Sequence, residues 1–427
     1  MLLPLIQDHM VDVNTSFTLI AGIIFIGFLA LKAFDRFKVP DILILMLLGV
    51  AIGPLFGVID STTIAGVKEL SSFFGTLVLT ILLVEGGMSL NYRTVLKEAG
   101  TATVFTLASF FSSVVIVAGA AMAFGWTPLN GLLLGVILGG NSSSVVMTLI
   151  KKLNIKEETK TVLSLESSLN DALVIIFAIM LIQVITAGGV QSFSQLGQDF
   201  FSGFTTSAFF AIIAGLVWIK ALNKLNTPKY NYLLTLAVVL LLYVFTEGVK
   251  SNGAFAALVF GIMLGNARAF TGLLGTDENI VVQSNLHGSQ EEITFFVRTF
   301  FFVFLGLLLD PKQLALPLMG LAVVIISVKS FARYWAASVL TRFGKDFEAD
   351  KTILAVMLPN GLAAAAMAAY PATAGITFNG EDLFLQVAFL VIFLSNVFAG
   401  VAVFVEERRK VKRAQQDKPK PATPSKA

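Results

Sequence analysis

Apolar residues fill this chain in blocks close to the ~20-residue length that spans a bilayer, with short polar gaps between them. The blocks predict thirteen helical spans near 16–33, 41–59, 72–88, 101–124, 129–150, 161–186, 202–223, 230–247, 253–267, 290–309, 314–341, 351–374 and 383–405. Pro40, Pro128 and Pro228 stand just before spans, and Gly/Asn/Asp clusters fill most gaps, as loop chemistry expects. The runs are long and unbroken, which excludes a β-barrel of short alternating segments. The predicted fold class is an all-α polytopic membrane protein of about thirteen transmembrane helices.

Composition agrees. The 427 residues are 56% hydrophobic and 13% charged, against roughly 25% charged residues in soluble domains. There is no cysteine, which excludes disulfides, thiolate metal sites and a catalytic thiol. The two histidines, His9 and His287, fall outside the apolar runs and argue against a multi-histidine metal centre. The opening MLLPLIQDHMVDVN lacks a basic n-region and is interrupted by Pro4, Gln7 and Asp8, so no cleavable signal peptide is expected. No Walker loop, HExxH or GxSxG motif occurs, so neither an ATP-driven pump nor a hydrolase is indicated, and no cofactor or nucleic-acid partner is implied.

The positions of the basic residues orient the spans. One side collects those in the gaps from Lys32 to Lys351, joined by eight in the tail from Arg408 to Lys426; the other has only Lys68, Lys250 and Lys312. This asymmetry predicts an outside N-terminus and a cytoplasmic C-terminus in the cell membrane. Residues 406–427, basic and Pro-rich, are expected to be a disordered tail.

Ionisable groups inside a span are costly and point to function. The stretch 165-LESSLND-171 puts Glu166 one turn from Asn170, and Ser167 one turn from Asp171, on adjacent stripes of one helix. Together they form one polar wedge; a plain hydrogen-bond cluster between helices would explain Asn170 and Ser167 better than two carboxylates. Span eleven supplies Lys329 and Arg333, four apart on one face. Arg keeps its charge under all conditions, so Glu166–Arg333 is expected to be a structural ion pair, with Lys329 beside it. Asp171 then remains to hold a proton or a small cation, Na⁺, Li⁺ or K⁺, but never both, since burial disfavours a bare carboxylate charge. Among weaker polar points, Glu85 is expected to cap or anchor a loop. Glu247 reads as a mouth charge or a solvated one. Arg298 is expected to pair with Glu291 or Glu292 and snorkel to the interface.

Two spans carry breaks. In 139-GGNSSSVVMT-148, Gly139 and Gly140 free the backbone while Asn141 and Ser142 compete for its hydrogen bonds; in 358-LPNGLAAAAMAA-369, Pro359, Asn360 and Gly361 interrupt the helix. A kink with close packing explains either alone. With span seven (202–223) as a linker, however, spans one to six and eight to thirteen become inverted halves, and the two breaks fall at corresponding places. No letter-level repeat is visible, so this symmetry rests on span order. The predicted organisation is a panel from 16–88 and 230–309, and a core from 101–186 and 314–405 that holds the broken spans 129–150 and 351–374.

The run Glu166-Ser-Ser-Leu-Asn170-Asp171 resembles the Glu-Ser-x-x-Asn-Asp signature of monovalent cation:proton antiporters, in their sodium/proton exchanger branch. FDRFKVPDILILMLLGVAIGP, LLVEGGMSL, EEITFFVRTFFFVFLGL and ARYWAA are similar to that branch's patterns at the first loop and second span, third, tenth and eleventh spans. The resemblance implies a thirteen-helix fold with a dimerisation panel, a moving core, a homodimer and elevator-like alternating access. Residue by residue it gives Asp171 the exchanged ion, with Asn170, Ser167 and Glu166 in support and Arg333 bracing Glu166. Asn141 and Ser142 of the break face the same site. An Asn-Asp pair in this family goes with electroneutral one-for-one exchange. The chain departs at the span-five break, where the branch has Thr-Asp-Pro and this sequence has Asn141-Ser142-Ser143, a serine-rich break that looks like the potassium-efflux branch. Asn360 also stands where a basic residue is common. The function expected is monovalent cation/H⁺ antiport with Na⁺, Li⁺ or K⁺ at Asp171. A potassium/proton antiporter or a gated potassium-efflux system on the same fold is the alternative.

Overall fold

The computed structural model describes residues 18, 21–30, 32, 40–56, 76–88, 100–151, 153, 155–187, 193–224, 230–269, 282–309, 316–343, 345–377 and 383–416. Every regular element among them is helical. Helices α1 (Ala21–Ala30), α2 (Asp41–Val50, running on as a π-turn through Leu55) and α3 (Thr76–Met88) come first. Then follow α4 (Thr101–Ala123), α5 (Pro128–Gly139), α6 (Ser143–Lys151), α7 (Glu157–Thr186) and α8 (Phe193–Lys224). The second part holds α9 (Asn231–Gly248), α10 (Gly253–Gly265), α11 (Val282–Leu307), α12 (Leu316–Phe343), α13 (Lys351–Val356), α14 (Leu362–Thr373) and α15 (Leu383–Gln416). Among the described residues, seven helices are long and apolar enough to cross a membrane, and α5 with α6 count as one of them. His9, Lys68, Lys312 and the end of the tail lie outside the described residues.

Local chemistry sets the helix ends. Thr127 caps α5, its Oγ1 accepting from Asn130 N at 3.4 Å, and Pro128 takes the first helical position, where no N–H is needed. Asn252 caps α10 by accepting from Phe255 N at 2.7 Å. Glu247 serves the same helix end: its carboxylate accepts from Gly253 N at 2.8 Å while the residue stays exposed. The tail differs from expectation. Instead of being disordered from 406, the chain continues as α15 to Gln416. EERRKVKRAQQ is rich in good helix formers, and Arg409 reaches Glu406 one turn back at 3.7 Å.

Helix pairs α2–α11 and α3–α10 approach at backbone distance. A Cβ at Gly49 would overlap the Val303 carbonyl, and one at Gly306 the Met46 carbonyl; Gly87 and Gly261 do the same for α3 and α10. Such small-residue crossings gain van der Waals contact where lipid removes the hydrophobic drive between helices. Arg298 secures the first pair. Its Nη2 lies 2.9 Å from Asp41 Oδ2, so it bridges to the start of α2 instead of pairing with Glu292 on its own helix. The carboxylate there also complements the positive end of α2, an advantage a partner on the same helix lacks.

The other helices assemble around the two breaks. α4 packs on α5 and on α12, and α7 packs on α4, α5, α6 and α14. Residues 140–142 and 357–361 leave the helical conformation and meet: Ser142 N donates to Pro359 O at 2.7 Å. Backbone groups freed inside a bundle are tolerated when protein partners satisfy them in this way.

Candidate ion site at the crossed breaks

The buried side chains of the crossing fall into three groups. In the first, Glu166 on α7 is fully buried and takes four donors on Oε1: Arg333 Nη1 at 2.6 Å, Asn170 Nδ2 at 2.7 Å, Asn141 Nδ2 at 2.8 Å and Ser109 Oγ at 3.1 Å. Arg333 Nη2 also reaches Oε2, at 3.3 Å. The same guanidinium donates to Leu354 O on α13 through Nη2 (2.9 Å) and Nε (3.2 Å), and lies 5.5 Å from the Phe105 ring centroid. One arginine thus joins α7, α12 and α13. A carboxylate so fully engaged has little left to offer a mobile ion.

The second group braces the breaks. Lys329 is fully buried, but it does not join the Glu166–Arg333 pair as expected. Its Nζ donates to Gly140 O at 2.7 Å and to Asn360 Oδ1 at 2.8 Å. The reason lies in α5: a helix that ends inside the protein leaves carbonyls unpaired at its negative pole, and a lysine head satisfies them. Asn360 Nδ2 serves the same carbonyls, donating to Leu138 O and Gly140 O at 3.0 Å each. Its backbone N donates to Ser395 Oγ and its O accepts from Asn396 Nδ2, which ties the break to α15. Gly139 packs under Val114 and Gly140 under Val174. A Cβ at Gly361 would overlap the Ser142 side chain. Gly361→Ala is therefore expected to lower stability by about 1–3 kcal/mol through overpacking, read as a lower melting temperature in detergent.

The third group is Asp171 and its surroundings. Asp171 Oδ2 accepts from both Ser143 Oγ and Ser143 N, the latter at 3.2 Å, so the carboxylate caps the start of α6. It lines a cavity of about 140 Å³ together with Ser142, Ser143, Ser144, Glu85 and Leu362. Two residues here differ from expectation. Ser167 Oγ turns back to Ser164 O at 3.1 Å, the usual local bond of a helical serine, and leaves the Asp171 stripe. Glu85 lies in the same cavity as Asp171 instead of only anchoring a loop. Ser143 is the partner that sequence reasoning missed; its neighbour Ser142 drew attention through the resemblance, as the position where the resembled family carries Asp. Ser143→Ala removes the hydroxyl that donates to Asp171. The cation concentration for half-maximal exchange is expected to rise in this variant, measured as exchange rate against cation concentration in proteoliposomes.

The amide oxygens Asn141 Oδ1 and Asn170 Oδ1 are buried and accept no hydrogen bond among the described residues. The cavity itself offers the Asp171 carboxylate and serine hydroxyls, oxygen donors of the kind hard cations take, while Asn141 and Asn170 sit on Glu166 and do not line it.

Interrupted helices that cross beside an intramembrane carboxylate, in an all-helical membrane protein, define the class of secondary ion transporters. The chain belongs to the sodium/hydrogen exchanger transmembrane family, which it matches over residues 20–405, and so to the monovalent cation:proton antiporter superfamily. It is 25% identical over 398 residues to the K(+)/H(+) antiporter NhaP of Alkalimonas amylolytica, covering 90% of this chain and 65% of that one. To the K(+)/H(+) antiporter NhaP2 of Shewanella sp. (strain ANA-3) it is 25% identical over 412 residues, 93% of this chain and 67% of the other. The chain thus spans about two thirds of the length of these relatives. In fold it resembles the sodium proton antiporter MjNhaP1 of Methanocaldococcus jannaschii, with a TM-score of 0.71 at 20% identity, over 92% of this chain and 99% of that one.

Proposed function

We propose that this protein is a secondary active antiporter that exchanges a monovalent cation, Na⁺ first with Li⁺ and K⁺ as the other candidates, for H⁺ across the cell membrane. The observation that carries the reading is the division between the two carboxylates. Glu166 is held by four donors, whereas Asp171 meets one serine beside a cavity. On this reading Asp171 holds either a proton or a cation. The Ser142 and Ser143 hydroxyls complete the cation's shell, while Asn141 and Asn170 hold Glu166. One carboxylate cycling between two monovalent loads makes the exchange electroneutral.

Thirteen helices in inverted halves of six, joined by α8, are the proposed architecture. The matching tight crossings α2–α11 and α3–α10 support it, since inversion relates span two with ten to span nine with three. The core, 101–186 with 314–405, would carry the site past a panel formed by 16–88 and 230–309 in an elevator-like motion. The panel would pair two copies as a homodimer, with the N-terminus outside and the C-terminus in the cytoplasm.

A specific observation favours K⁺ as cargo. The break carries the serines Ser142 to Ser144 and no carboxylate of its own, and the relatives named above are K(+)/H(+) antiporters. The test is a cation panel in proteoliposomes loaded with a pH dye, with the membrane potential clamped. Na⁺, Li⁺ or K⁺ is expected to dissipate an imposed pH gradient. Dissipation by none of them would overturn antiport, and cation current without proton movement would identify a channel instead.

A further inference from the structure

A second cavity, of about 230 Å³, opens between α4 and α12. Val104, Phe105, Ala108, Ala336, Val339 and Leu340 line it, and Gly100 closes one end. Among these described residues none has a polar side chain. Both helices are among those long and apolar enough to cross the membrane. The cavity lies beside the first turns of α4 and the last turns of α12.

At its mouth the surface is apolar and exposed: Val104 is 49% exposed and Trp335 51%. An apolar space of this kind stays dry or takes an apolar ligand. It is smaller than the roughly 300–1,000 Å³ of pockets for drug-sized molecules, so it suits a slender chain. A basic group stands at the same end of α12: Arg342 is exposed in its last turn, on the stripe of α12 that carries Trp335 and Val339. Aromatic and basic residues together mark a membrane–water boundary that attracts anionic headgroups. The inner wall of the cavity is Phe105, which also meets the Arg333 guanidinium that holds Glu166.

We propose that this cavity binds an acyl chain of an anionic phospholipid, with its headgroup at Arg342, and that the bound chain supports Phe105 against the buried Arg333–Glu166 pair. A chain in the groove fills the space behind the ring, so that Phe105 cannot swing away from the guanidinium.

The test uses the full protein in vesicles containing a phosphatidylglycerol with a diazirine in its acyl chain. Labelling is expected in peptides covering 100–108 and 336–340, and unlabelled phosphatidylglycerol should remove it while phosphatidylcholine does not. Labelling no stronger than on the exposed face of α9 at 241–245, or removed equally by both lipids, would overturn the proposal. Ala336→Phe and Ala108→Phe fill the cavity and should lose this label while keeping that on α9. Arg342→Ala should lose the preference for the anionic lipid. If a filled variant fails to fold, the competition on the unaltered protein still decides. A functional readout is also expected: phosphatidylglycerol should raise the melting temperature above that in phosphatidylcholine, and Ala336→Phe should abolish the difference. Labelling involves no transport, so this proposal and the antiport reading fail separately.

Discussion

Asp171→Asn is expected to reduce cation-coupled proton movement to the level of protein-free vesicles while leaving the protein folded. The side chain keeps its size, and its amide oxygen still accepts from Ser143 at the start of α6. The charge that would attract a cation and the group that would carry a proton are both lost. Glu166 does not take over both roles, because it is committed to Arg333, Asn170, Asn141 and Ser109. The measurement is a dye-loaded vesicle assay beside a melting curve. A normal rate with a normal melting temperature would move the exchanged ion to another carboxylate, with Glu85 in the same cavity the first to examine.

Arg333→Ala is expected to be the most damaging change to stability. Breaking a buried pair by removing one partner costs about 3–5 kcal/mol, because the remaining charge stays buried. Here the loss also strips two donors from Leu354 O and opens a void beside Phe105. Arg333→Lys should fall between the two, since it keeps a charge but loses the fork that reaches Glu166 and Leu354 together. Thermal melting in detergent checks this. An unchanged midpoint in Arg333→Ala would mean that the pair contributes nothing to holding α7, α12 and α13 together.

The long apolar helices were legible because a bilayer imposes a length and a composition that a single sequence displays. The interruptions at Gly139–Ser142 and Pro359–Gly361 were legible for the opposite reason, as residues that a membrane helix excludes. Partners were not legible where geometry decides between equals. Lys329 and Arg333 share a face of α12, yet only Arg333 reaches Glu166, while Lys329 is drawn to the open carbonyls at the end of α5. Ser142 and Ser143 are adjacent and chemically identical. Only the backbone path after Gly140 turns Ser143 toward Asp171 and leaves Ser142 against Gly361. Arg298 illustrates the same limit: Glu292 was its near neighbour in sequence, but Asp41 is its neighbour in space. Charge and burial can be read from a chain, whereas the choice among nearby partners belongs to the packing.

The central claim is that Asp171 holds a proton or a cation in turn. Its most direct test is proton release on cation binding, with purified protein in weakly buffered detergent and a pH indicator. Adding the transported cation to the unaltered protein should release protons in proportion to the cation bound, and Asp171→Asn should release none. Cation binding without proton release in the unaltered protein, or undiminished release in Asp171→Asn, would contradict the account.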